Sequence, residues 1–138
     1  MPSPLVDTNV LGELTRPRPD AGVLAWAAET HEIAVSVVTV EEVSFGLARR
    51  PLPRVRAWWD RFLARKCTVL DVTPPIATLA GTLRGQLAAA GKVRTQADML
   101  IAATAAHHGL VLVTRNVRDF AGCGVSLLDP FEGRLSRR

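Results

Sequence analysis

Four acidic residues in this chain stand at the margins of apolar runs: Asp7 in "LVDTNVL", Glu42 in "VVTVEEV", Asp98 in "TQADMLIAA" and Asp119 in "LVLVTRNVRDF". Thr114 and Asn116 accompany the last of them. All are hard oxygen donors, with no Cys or His among them at metal-ligand spacing, which suits Mg²⁺ or Mn²⁺ better than zinc. Carboxylates gathered in one place raise one another's pKa or require a cation. One or two divalent ions held this way activate a water and stabilise the leaving oxygen in phosphodiester hydrolysis. No Ser or Cys has the surroundings of an activated nucleophile, so no covalent intermediate is expected.

Whether the four acids meet depends on the elements that carry them. Residues 5–7 form a short apolar strand, followed by a helix over 10–15 that Pro17 and Pro19 stop. A helix over 20–30 is capped by Asp20, and 33–38 is an uninterrupted β-branched strand. Thr39 opens a helix to Arg49, and Pro51 and Pro53 break the chain. "RVRAWWDRFLARK" is an amphipathic helix with Val55, Trp59 and Phe62 on one face and Arg54, Arg61 and Arg65 on another. "TVLDV" is a strand, 74–90 a helix and "GKVRTQ" a loop. An Ala-rich helix over 97–108 ends at Gly109, "LVLVT" is a buried strand, "RNVRDF" turns into a short helix, and "VSLL" is the last strand.

Apolar strands alternating with helices imply a mostly parallel sheet covered on both faces, a three-layer α/β/α sandwich. The expected organisation is a single domain over residues 1–133 with a loose basic tail at 134–138. In such a sheet ligands bind outside the carboxyl ends of the strands. Asp7 ends the first strand, Glu42 lies in the first turn after the second, and Asn116 and Asp119 follow "LVLVT" directly. The helix carrying Asp98 feeds that strand's start through Gly109, so its first turn, with Asp98, lies near the strand's end. Four carboxylates from four segments are thus predicted to share one rim.

Each acid also has a structural explanation. Asp7 suits the cap of the next helix, Thr39-x-x-Glu42 matches a capping box, and Asp98 favours a helix dipole. Asp119 could pair with Arg115 or Arg118. A phosphoryl-transfer enzyme with Asp7 as nucleophile would need a second acid two residues on or a late Lys; here Asn9 stands there and no Lys follows Lys92.

Composition sets the wider bounds. Nearly half of the 138 residues are apolar and 22% charged, as in a globular domain. The apolar runs are strand-sized, too short to cross a bilayer, and no basic–apolar–small leader precedes residue 5, so a cytoplasmic protein with reduced Cys67 and Cys123 is expected. There are 17 Lys plus Arg against 13 Asp plus Glu, a formal +4. With four acids drawn into one site, that excess doubles over the rest of the surface, a field suited to a polyanion. An Arg-rich composition alone would explain the same balance.

The blocks "LVDTNVLGEL", "VSVVTVEEVSFGLAR", "TQADMLIAATAAHHGL" and "LVLVTRNVRDF" resemble, in order and spacing, the motif blocks of PIN-domain ribonucleases. Among these the VapC-type toxins of toxin–antitoxin pairs, FitB-like relatives included, are most similar. The resemblance implies that Asp7, Glu42, Asp98 and Asp119 are the metal-ligating acids, with Asn116 and Thr114 in support. It implies a Mg²⁺-dependent endoribonuclease, a homodimer, and a small VapB-type antitoxin whose tail blocks the site and which alone binds DNA. A PIN-like module that binds RNA or protein without cutting is the alternative.

Three further features read as structural. Trp59 fits the core stripe of its helix, while the adjacent Trp58 is left partly open to a partner. His107 and His108 end a helix, where an imidazole favours the dipole. Asp129-Pro130 is a turn, and Asp71 is expected to face solvent in its strand.

Overall fold

The computed structural model describes residues 3–131; the predicted basic tail at 134–138 lies outside them. Among the described residues five strands form one sheet: β1 (Pro4–Val6), β2 (Ile33–Ser36), β3 (Cys67–Leu70), β4 (Val111–Val113) and β5 (Ser126–Leu128). Their order is β3-β2-β1-β4-β5 and every pairing is parallel. Leu5 pairs with Ala34 on one side and Leu112 on the other, so β1 lies at the centre. Among the described residues six α-helices cover the sheet: α1 (Thr8–Leu14), α2 (Ala21–Glu29), α3 (Val37–Arg49), α4 (Pro53–Arg65), α5 (Pro74–Ala89) and α6 (Gln96–His108). This is the expected α/β/α sandwich.

Strand pleating sends alternate side chains into two cores. Leu5, Ala34 and Leu112 meet Ile76 and Ala80 of α5 and Met99, Ile101 and Ala102 of α6. Val6, Val35 and Val113 meet Val10 and Leu11 of α1, Val23 of α2, and Trp59 and Phe62 of α4. Burial on both faces is why these strands read as unbroken apolar runs. Trp59 is buried and stacks on Phe62 at 5.8 Å, while Trp58 is only half-buried. Cys67 packs against one core and Cys123 within the other, and both thiols are free. Among the described residues no helix is long and apolar enough to cross a membrane.

Two helix starts differ from expectation. α1 begins at Thr8 rather than residue 10, because Asp7 caps it by accepting from the Thr8 backbone N–H. α3 begins at Val37 rather than Thr39, because Ser36 Oγ accepts from the Val38 N–H at 3.0 Å. The β-branched Val37 and Val38 suggested a longer strand, but the cap ends it at Ser36. The capping-box reading of Thr39 and Glu42 therefore falls. Likewise β3 stops at Leu70, so the exposed Asp71 lies just past the strand.

Candidate active site

Where β1 ends, Asp7 is only 5% exposed. Its backbone N–H donates to the Val113 carbonyl at 2.9 Å, extending the β1–β4 ladder by one bond and fixing where the side chain emerges. Oδ1 accepts from the Thr8 N–H at 2.8 Å, and Oδ2 accepts from Thr114 Oγ1 at 2.8 Å and Asn9 Nδ2 at 3.2 Å. Asp7 is thus a helix cap and a member of a polar network at once. Burial pushes its carboxyl pKa up, the Thr114 and Thr8 hydrogen bonds oppose this, and the charges of Asp98 and Glu42 add to the rise.

Thr114, fully buried just past β4, is the hub of the network. Besides donating to Asp7, its Oγ1 accepts from the Asn116 N–H at 3.1 Å and from Asn9 Nδ2 at 3.4 Å. Asn9 Oδ1 in turn accepts from the Arg115 N–H at 3.2 Å. The start of α1 and the segment after β4 are thereby stitched together. Asn116 itself is exposed; its backbone carbonyl accepts from the Asp119 N–H at 3.0 Å in the 3-10 turn Val117–Phe120.

Glu42, one turn into α3, accepts through Oε1 from Thr8 Oγ1 at 2.7 Å, and Thr8 Oγ1 lies 3.2 Å from Thr39 Oγ1. Glu41 is exposed and takes no part. Asp98 lies in the first turn of α6, its backbone N–H donating to the capping Thr95 Oγ1 at 3.1 Å. Burial raises its carboxyl pKa, the Thr95 hydroxyl opposes, the charges of Asp119 and Glu42 add, and Arg94 opposes again.

The four predicted acids are therefore electrostatic neighbours on one rim. Asp7 feels Asp98 and Glu42, and Asp98 feels Glu42 and Asp119. No three His, Cys, Asp or Glu side chains among the described residues are arranged to hold one ion as they stand. The fit of a divalent cation rests on the donor chemistry. These are oxygen donors whose neighbouring charges add to the rise in the carboxyl pKa of Asp7 and of Asp98, and among the described residues none of the four forms an ion pair within 4.0 Å, so a hard cation offsets a repulsion the fold leaves standing.

Sequence reading passed over Thr8, Asn9 and Arg94. The available signal was the polar pair in "DTN" directly after a strand, too short to distinguish from an ordinary cap. Another acid, Glu13, is buried as well, but its Oε2 accepts from the Asp20 N–H at 2.8 Å and joins α1 to α2. His107 and His108 are exposed at the far end of α6, away from the acids. Asp129 makes the expected turn, its Oδ1 accepting from the Phe131 N–H at 2.9 Å.

A parallel sheet with polar groups gathered at its carboxyl edge is the frame of a PIN domain, and a sequence model of that domain matches residues 5–122; the chain belongs to the PIN-domain family. More particularly, it is 35% identical to the VapC ribonuclease Y4jK of Sinorhizobium fredii, over 93% of this chain and 97% of that protein. The fold superposes on a DNA-bound VapBC from Salmonella typhimurium with a TM-score of 0.81 at 29% identity, covering 94% of this chain and 99% of that one. A toxin–antitoxin complex from Klebsiella pneumoniae gives a TM-score of 0.73 at 29% identity, with the same coverage.

Proposed function

We propose that the chain is a Mg²⁺-dependent endoribonuclease, with Mn²⁺ as a substitute, acting as the toxin of a toxin–antitoxin pair. The observation that carries this reading is the electrostatic linkage of four acids from four segments on one sheet edge. The similarity to a VapC ribonuclease supports RNA as the substrate. Asp7, Glu42, Asp98 and Asp119 would hold the ion, with Thr114 and Asn116 in support. When bound, the ion supplies an activated water and charge stabilisation at the phosphate.

The remaining steps belong to the chain. Thr8 N–H and Thr114 Oγ1 grip opposite oxygens of Asp7 and set its orientation. Thr8 Oγ1 holds Oε1 of Glu42, tying the second acid to the same turn as the first. Such preorganisation keeps donors in place without reorganisation during reaction. The basic surface draws in the strand.

The likeness to a toxin–antitoxin complex supports a small protein antitoxin as partner, its tail blocking the acids. A cleft of about 380 Å³ whose lining includes Trp58, Leu14 and Phe62 together with Arg61 and Arg65 suits an amphipathic segment of that partner. In the same reading DNA is met only through the antitoxin, and two copies of the chain form a homodimer.

The test is cleavage of a structured RNA by the purified chain with Mg²⁺, with EDTA, and by Asp98→Asn. Cutting that vanishes in the last two conditions is the expected result. RNA retention without cutting in any condition would replace the nuclease with a binding module.

A further inference from the structure

Arg94 lies in the segment between α5 and α6, four residues ahead of Asp98. Its Nε is fully enclosed, so the stem of the side chain is held in place. The head is different. Nη1 reaches the Val93 carbonyl and Nη2 the Arg118 carbonyl, each at 3.4 Å and each in a solvent-exposed contact. Both are long for N–H···O bonds, and a guanidinium has five donors. Each Nη nitrogen spends one of its two N–H groups on these contacts, so half of the head's donors remain unspent.

The charge is equally uncommitted. Arg94 is close enough for Asp98 to feel it, yet among the described residues no carboxylate lies within 4.0 Å of it. Other arginines near the rim are placed otherwise: Arg115 stacks on the Phe131 ring at 4.5 Å, and the exposed Arg118 offers Arg94 only its carbonyl. An arginine with a fixed stem, an open head and no ion-pair partner is prepared for a phosphate. Its planar donors match the oxygens, and little side-chain freedom remains to be given up on binding.

We propose that Arg94 is a substrate-binding residue that contacts a phosphate of the RNA strand beside the four acids. This rests on the nuclease reading for the identity of the strand, and it adds a residue that none of the motif blocks supplies. The Arg118 carbonyl, on the turn that carries Asp119, sets where the head stands and so which phosphate it meets.

The experiment is binding of a short fluorescein-labelled single-stranded RNA in EDTA, followed by anisotropy across a potassium chloride series. Removing one phosphate-binding cation flattens the slope of log K against log salt by about 0.7. Arg94→Ala should bind more weakly and flatten the slope by about that amount, whereas Arg94→Lys should keep the slope. In Mg²⁺, Arg94→Ala should raise KM more than it lowers kcat. An Arg94→Ala slope equal to wild type overturns the proposal, and a lower melting temperature with that same slope makes Arg94 a strut of the loop only. Failure of the nuclease reading looks different: wild type binds the RNA with the full slope but never cuts it.

Discussion

The two ends of the same five strands make instructive opposites. At the carboxyl edge, the buried Asp7 and half-buried Glu42 are held by short hydrogen bonds donated from the start of α1 and from the segment after β4. At the amino edge lies a cleft of about 530 Å³ lined by His31, Glu32, Arg65, Lys66, Cys67 and His108 among others. Its titratable groups outnumber those of the acid site. Yet all but Cys67 are exposed, and among the described residues none of their side chains hydrogen-bonds another. There α4 and α6 end, where basic side chains favour the helix dipole and need no ligand to explain them. What sets the acid edge apart is therefore not chemical variety but the gathering of like charges that burial keeps together.

The sharpest way to break this contrast is substitution at each end. Asp98→Asn should reduce RNA cleavage at least about a hundredfold, the scale expected when a transition-state electrostatic group is removed. If single-turnover rates fall less than about tenfold, the acids are caps and the contrast loses its meaning. Thr114→Val should come next. It leaves Asp7 Oδ2 short of its closest donor and the Asn116 N–H without its acceptor, at a cost of about 1–3 kcal/mol in thermal or urea unfolding. Thr114→Ser should recover most of that stability, since the hydroxyl is what the network uses.

A subtler effect is the pH dependence of stability in EDTA. Folding raises the carboxyl pKa of Asp7 and of Asp98 above the ordinary 3.8. An acid raised in this way holds its proton more tightly when folded. Its contribution is complete below 3.8 and is lost as pH climbs through the raised value. The melting temperature should thus fall across that window, Mg²⁺ should restore it at neutral pH, and Asp98→Asn should flatten the profile. A melting temperature that rises over the same interval in EDTA would contradict it. Smallest of all, His108→Ala and Glu32→Gln at the amino edge should leave cleavage within about twofold of wild type, because surface substitutions remote from packed or paired groups have little effect.

Much of this was legible in the sequence, for physical reasons. Strands buried on both faces show as unbroken apolar runs, and their alternation with helices dictates a parallel sheet. Its handed crossovers bring Asp7, Glu42, Asp98 and Asp119 to one rim. What stayed hidden depended on side chains closing short loops. Val37 and Val38 read as strand because β-branching speaks for strand until the Ser36 hydroxyl caps the helix. The roles of Thr8 and Asn9 need the far end of the chain in place, since Asn9 meets Thr114 and Arg115. Arg94 carries no motif and becomes visible only once its enclosed Nε and open head are seen.

The central place of β1 has a consequence for synthesis. Asp7 and Thr114 lie 107 positions apart, and β1 is joined on one side by a strand from the last third of the chain. A nascent polypeptide emerging from the ribosome therefore carries Asp7, Glu42 and Asp98 for some time before β4 arrives to seat the first of them. Contacts so distant in sequence form late. An interrupted product that stops before Val111 keeps three of the four acids but lacks the strand and hydroxyl that orient Asp7. Synthesis past β4 and its following turn is, in this architecture, the step that brings the four acids together.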